Sequence, residues 1–204
     1  MEKLKTYIQQ HIDALTNIPL DEQLYNAVEL IHEHVHQRPG KVVVSGMGKA
    51  GHIGYNLAMT LSSTGTPAVF LHPGEAQHGD LGIIQRDDLL FMISNSGKTR
   101  EVLELFHLSR NLISDIPIIS LSGNADGDLN QLADIGLLTG SPKEICPLDL
   151  TPTTSIATMT VIGNLLVVLL MERISFSAEE YAKRHHSGYL GQKAKSIHKS
   201  NSSS

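Results

Sequence analysis

Between Ser94 and Thr99 the chain reads Ser-Asn-Ser-Gly-Lys-Thr, placing three hydroxyls, a carboxamide and a glycine within six residues. An apolar run, Leu89 to Ser94, precedes this segment, and a helical pattern, Val102 to Leu112, follows it. At such a strand-to-helix junction, backbone N–H groups and side-chain donors converge where the helix dipole favours negative charge, so the matching chemistry is phosphate binding by Ser94, Asn95, Ser96 and Thr99. Capping the helix requires one hydroxyl, and the surplus points to a ligand. The glycine-rich lysine loop of nucleotide triphosphatases is not present.

A second junction, Ser45-Gly46-Met47-Gly48-Lys49-Ala50-Gly51, follows the run Lys41 to Ser45. Gly46, Gly48 and Gly51 match the dinucleotide-binding glycine spacing. That function needs an acid at the end of the second strand to hold the ribose hydroxyls. Here that strand ends in Leu71-His72-Pro73, which argues against a nicotinamide site. The glycines still permit close backbone approach to a ligand. Lys49 opposes the dipole of the helix it begins, a misfit that suits a ligand anion or a catalytic role.

These junctions must be held by a larger frame. With 204 residues, 41% of them apolar and 18% charged, the chain suits one domain with a substantial core. A formal charge of −5 gives no electrostatic footprint for nucleic acid or an anionic membrane. A single cysteine, Cys146, excludes an internal disulfide framework and reads as a small buried hydrophobe. The first residues carry no continuous apolar run of the signal-peptide kind, and a cytoplasmic protein is expected.

Leu4, Ile8, Ile12 and Leu15 recur at helical spacing, as do Leu24, Val28, Ile31 and Val35, so two amphipathic helices precede the first strand. Further strand-like runs lie at Ala68 to Leu71, Ile116 to Leu121 and Ile135 to Leu138. Helical patterns intervene at Ile53 to Leu61 and Leu129 to Ala133. The alternation predicts an α/β fold: a three-layer αβα sandwich around a five-stranded parallel sheet, with two N-terminal helices. Ser155 to Arg173 reads as a helix apolar nearly all round, which needs covering in the core or between subunits. Residues 1–194 form the expected domain, and 195–204 an expected disordered tail.

Taken together, these motifs resemble those of SIS (sugar isomerase) domains. Ser94-Asn95-Ser96-Gly97-x-Thr99 is similar to their phosphosugar-binding loop. Several further segments resemble the D-arabinose 5-phosphate isomerase branch: Gly46 to Gly54, Ser63 to Pro67, His72 to Gly82 with His78, Lys143 to Leu148, Thr151 to Ser155, and His185 to Gly191. Members usually carry Glu at the position of Lys98, and His-Pro-Gly-Gly where this chain has His185-His186-Ser187-Gly188. Typical members also continue into a pair of CBS modules, so the chain looks like an isolated catalytic domain.

The resemblance implies interconversion of D-ribulose 5-phosphate and D-arabinose 5-phosphate for Kdo synthesis, feeding lipopolysaccharide or capsule. It implies a functional quartet of Lys49, Glu101, Glu144 and His185. Gly48, His78, Thr153 and Thr154 are expected to contact substrate, and a homodimer or homotetramer is implied. Isomerisation moves a proton between C1 and C2 through an enediolate and needs neither metal nor redox cofactor. Glu144 is the expected base, so Glu144→Gln is expected to cost at least a hundredfold in turnover. Lys49 would stabilise the enediolate oxygen, His185 would handle ring opening or hydroxyl protons, and Glu101 would orient Lys49 or a sugar hydroxyl. Two other classes remain open: a non-catalytic SIS sensor of sugar phosphates, and an isomerase of a hexulose 6-phosphate. His72, His78 and Asp80 lack a standard metal-ligand spacing, and His32, His34 and His36 read as a surface cluster.

Overall fold

The structure is a computed structural model that describes residues 1–186 and 188–194. Five strands pair in parallel, in the order β2-β1-β3-β4-β5. They are β1 Val42–Gly46, β2 Ala68–Phe70, β3 Leu89–Ile93, β4 Ile118–Ser122 and β5 Ile135–Leu138. Along β1, β3 and β4 alternate side chains enter opposite faces, and both faces are dry. Val42, Val44, Phe91, Ile93 and Leu121 join one core, while Val43, Leu90, Met92 and Ile118 join the other. Burial on both faces is why the strands read as continuous apolar runs.

The first core is covered by α2 Glu22–Ile31, α3 Gly48–Ser63 and α7 Thr154–Arg173, and the second by α5 Arg100–Leu112 and the short α4 Pro73–Ala76 and α6 Asp128–Leu132. α7 has an apolar side chain at nearly every turn and sinks Met159, Ile162, Leu166 and Leu170 into the first core. Each such burial contributes roughly 1.5–3 kcal/mol. By length and composition α7 would also cross a membrane, yet half of it is buried in the fold. α1 Glu2–Thr16 lies against α7 and buries none of its residues; Leu4, Ile8 and Ile12 stay exposed.

Some local expectations shift. β4 begins at Ile118 because Pro117 has no N–H to give the ladder. α2 runs on into a π-helical turn, His32–Gln37, which rotates the histidines out of simple helical phase. His34 is therefore buried, its Nδ1 3.0 Å from the Asp87 carbonyl, and is not part of a surface cluster. Cys146 is half-buried, and its Sγ accepts N–H bonds from Leu150 and Thr151 at 3.2 and 3.1 Å. Ser187 and the expected tail, 195–204, lie outside the described residues.

The chain leaves β1 toward β2 on one side and resumes at β3 on the other, which makes the β1/β3 boundary the sheet's switch point. Gly46 is paired in register with Ile93 there. The two informative junctions thus emerge side by side at the carboxyl edge, where loops diverge and leave a crevice.

Candidate active site

Ser94 directly follows β3, almost fully buried, and its Oγ lies 2.8 Å from the Thr99 Oγ1. Between them the Gly97 N–H donates to the Ser94 carbonyl at 3.1 Å, and the Lys98 N–H donates to the Ser96 Oγ at 3.1 Å. Gly97 has φ +66°, and a Cβ there would lie 2.9 Å from the Gly127 Cα, so the turn admits only glycine without strain. Thr99 is the N-cap of α5 but makes no side-chain cap bond, because its hydroxyl faces Ser94. The result is a tight, donor-rich cup at a helix N-terminus.

Across the switch point, Met47 is extended and Gly48, at φ +58°, turns the chain into α3. The other glycines of this motif serve packing: a Cβ on Gly51 would lie 2.5 Å from the Gly46 carbonyl oxygen, and one on Gly54 would press Phe70 and Val44. Their spacing follows from how tightly α3 lies on the sheet. Lys49, exposed in the first turn of α3, shares a cavity of about 250 Å³ with Ser94, Asn95, Ser96 and Thr99. The far wall is Pro152, Ser155, Ile156 and Met159, from the start of α7.

Glu144 lies in the loop between β5 and α7. Its Oε2 accepts N–H bonds from Thr153 and Thr154, both 2.6 Å, and from Ser155 at 3.3 Å, with the Thr153 hydroxyl donating at 2.8 Å. Burial alone would raise its pKa. Hydrogen bonds from Ser155 and Thr153 outweigh burial and hold the carboxyl below its ordinary value. On its other side Glu144 borders a hollow of about 350 Å³ with Asp13, Asn17 and Thr139.

His185 directly follows α8 Ala178–Arg184, stacked on Tyr181 at 3.8 Å between ring centroids. Its Nδ1 is 3.0 Å from the Tyr181 carbonyl. A carbonyl only accepts, so Nδ1 carries the hydrogen of that bond. Tyr181 lines a hollow with Met171, toward the carboxyl end of α7, whereas the lysine cavity is walled by Ser155 and Ile156 at its start. At 1.5 Å per residue those two ends are about 22 Å apart. His185 is not among the described residues that line the cup's cavity.

The SIS domain family matches residues 36–169, a span holding the whole sheet, the cup, Lys49 and Glu144. This chain belongs to the SIS domain family. The chain is 44% identical over 174 residues to the arabinose 5-phosphate isomerase KdsD of Yersinia pestis, covering 85% of this chain and 52% of that protein. The Pseudomonas aeruginosa KdsD is 45% identical over 154 residues, 76% of this chain and 47% of that one. The chain thus spans about half the length of the curated relatives it matches. Among solved structures, a Bacteroides fragilis protein described as a phosphosugar isomerase involved in capsule formation superposes with TM-score 0.91 and 54% identity, over 92% of this chain and 98% of that one. An Escherichia coli CFT073 protein in complex with arabinose 5-phosphate superposes with TM-score 0.81 and 31% identity, over 89% and 95%.

Of the residues singled out from sequence, the SIS domain gathers Lys49, Ser94, Asn95, Ser96 and Thr99 around one cavity. Gly48 adjoins it by backbone. Glu101, His78, Thr153 and Thr154 are not among the described residues that line it. Glu101 is half-buried in the first turn of α5, and His78 is exposed between α4 and a 3₁₀ turn, Asp80–Ile83. Thr154 is buried, with no partner for its hydroxyl among the described residues. Met47, Pro152, Ser155, Ile156 and Met159 line the cavity without having been singled out individually. The Thr151–Ser155 motif marked the segment, but a packing wall leaves no local pattern. No group of three or more His, Cys, Asp or Glu side chains that would hold a metal occurs among the described residues.

Proposed function

We propose that this SIS domain is an aldose–ketose isomerase that interconverts D-ribulose 5-phosphate and D-arabinose 5-phosphate. The observation that carries the reading is that Lys49 and the Ser94–Thr99 cup line one cavity. The arabinose 5-phosphate isomerase names of its relatives and the arabinose 5-phosphate complex of a similar fold support the choice of sugar.

The phosphoryl group binds Ser94, Ser96 and Thr99 and the first N–H groups of α5, which pins the far end of the open-chain sugar. A base removes the C1 proton of the ketose, and the electrons of that C–H bond form the C1–C2 double bond of an enediolate. The carbonyl electrons move onto the C2 oxygen, where the Lys49 ammonium stabilises the charge. The O1 hydroxyl proton then passes to the C2 oxygen, the freed O–H electrons form the C1 carbonyl, and the C1–C2 double-bond electrons take a proton back at C2 to give the aldose. The sequence is redox-neutral and balances without a second substrate. One positioned oxyanion donor is worth about 3 kcal/mol, and one base roughly 10²–10⁴-fold.

His185 acts on the site of a neighbouring copy, and Glu101 orients Lys49 or a hydroxyl from α5. A homo-oligomer supplies that neighbour. The exposed Leu4, Ile8 and Ile12 of α1 form an apolar stripe beside α7, whose Val168 is half exposed, and such a stripe calls for a partner. In the cytoplasm, the product would feed Kdo biosynthesis for lipopolysaccharide or capsule, in keeping with the capsule-linked Bacteroides relative.

The test is proton exchange in deuterium oxide with a panel of pentose and hexose phosphates. Deuterium entering C2 of D-arabinose 5-phosphate is the expected result. Binding without exchange on any sugar would make the protein a sensor, and exchange confined to a hexulose 6-phosphate would overturn the pentose assignment.

A further inference from the structure

We propose that Glu144 is a positioning residue, a side-chain cap that fastens the start of α7 against the phosphate cup, and that another group moves the substrate proton. This inference rests on the isomerase reading.

The first N–H groups of a helix have no partner within it, and an N-cap Ser, Thr, Asp or Asn normally satisfies one of them. Thr153 holds that position in α7, yet it makes no side-chain cap bond. Its hydroxyl instead donates to the Glu144 Oε2 and accepts the Ile145 N–H at 3.2 Å. Glu144 thus does the capping from nine residues upstream. One carboxylate oxygen collects three consecutive amide N–H groups at the positive end of a 20-residue helix, where a negative charge is most stabilising. Asp149 completes the clasp by accepting the Glu144 N–H through its Oδ1 at 2.7 Å.

The residues held in this way are those that wall the cavity. Ser155 bonds Glu144 and lines the cavity, with Pro152 and Ile156 on either side. A carboxylate so richly solvated by donors is a weak base, and the lowered pKa agrees. A general base for this chemistry works best with a pKa near the operating pH. Accepting a proton at Oε2 would set the added hydrogen against three N–H donors and loosen the wall at the moment substrate must be held.

Glutamine keeps one acceptor oxygen on the same stem, whereas alanine keeps none, so E144Q and E144A separate the two roles. For each, kcat and KM with D-ribulose 5-phosphate are followed across the pH–rate profile, with calorimetric binding of inorganic phosphate. As a cap, E144Q stays within about tenfold of the wild-type kcat with both pH limbs in place. E144A raises KM, and weakens phosphate binding, at least tenfold more than E144Q does. The proposal is overturned if E144Q binds phosphate as tightly as wild type yet loses a hundredfold or more in kcat together with its acid limb. It is equally overturned if E144A and E144Q bind phosphate alike. A wild-type protein inactive on every phosphosugar refutes the isomerase reading instead, and the phosphate-binding ratio still decides whether Glu144 holds the cavity wall.

Discussion

The Ser94 and Thr99 hydroxyls lie 2.8 Å apart, joining the residue after β3 to the start of α5 across the four residues between them. Only one of the two protons is used in that bond, so the pair keeps a donor for a bound anion. A hydrogen bond to a charged group contributes about 1.5–3 kcal/mol, or roughly ten- to a hundredfold in Kd. Ser94→Ala is therefore expected to weaken inorganic phosphate and D-arabinose 5-phosphate by the same factor in that range. Calorimetry on both ligands checks this, and a loss confined to the sugar phosphate would move the phosphoryl group away from Ser94.

Two glycines with positive φ separate strain from crowding. Gly48→Ala meets open space and bears only the left-handed backbone cost of about 1–2 kcal/mol. Gly97→Ala bears that cost and also drives a methyl into Gly127. Thermal unfolding should show Gly97→Ala falling further in Tm than Gly48→Ala, with phosphate affinity lost as well.

Acid should loosen the Glu144 cap. The folded-state pKa is lowered, so the stabilisation is complete above the unfolded value of 4.5 and disappears as pH falls through the folded one. Melting temperatures measured from neutral pH downward should therefore fall less steeply for Glu144→Gln than for wild type. Parallel curves would mean that the cap adds nothing to stability.

The separation of His185 from the cup along α7 predicts a site shared between copies. Lys49→Ala and His185→Ala are each expected to reduce turnover at least a hundredfold. Mixed after partial denaturation, the two inactive proteins should recover activity, up to about a quarter of wild type for random dimers. Ile8→Glu with Ile12→Glu should yield monomers by sedimentation that bind phosphate but do not turn over.

The strands and the cup were legible in sequence because their signals are local: β-branched runs buried on both faces, and hydroxyls crowded between a strand and a helix. α8 was not singled out in sequence; the structure shows its start capped by Ser177, whose Oγ accepts the Glu180 N–H at 3.1 Å. The wall was legible as far as the Thr151–Ser155 segment, which supplies Pro152 and Ser155, but Ile156 and Met159 were not, because they reach the cavity only after α7 packs against α3. Glu144 as a cap was hidden for a related reason. It acts over nine residues, and the usual box spans three. His34 was misplaced by the π-helical turn, which no hydrophobic period announces.

The most direct test of the account is a crystal structure with D-arabinose 5-phosphate bound. The account predicts the phosphoryl oxygens within hydrogen-bond distance of Ser94, Ser96 and Thr99, and the Lys49 ammonium beside the oxygen of C1 or C2. A phosphoryl group seated outside that cup, or a Lys49 turned away from the carbonyl end, would contradict it.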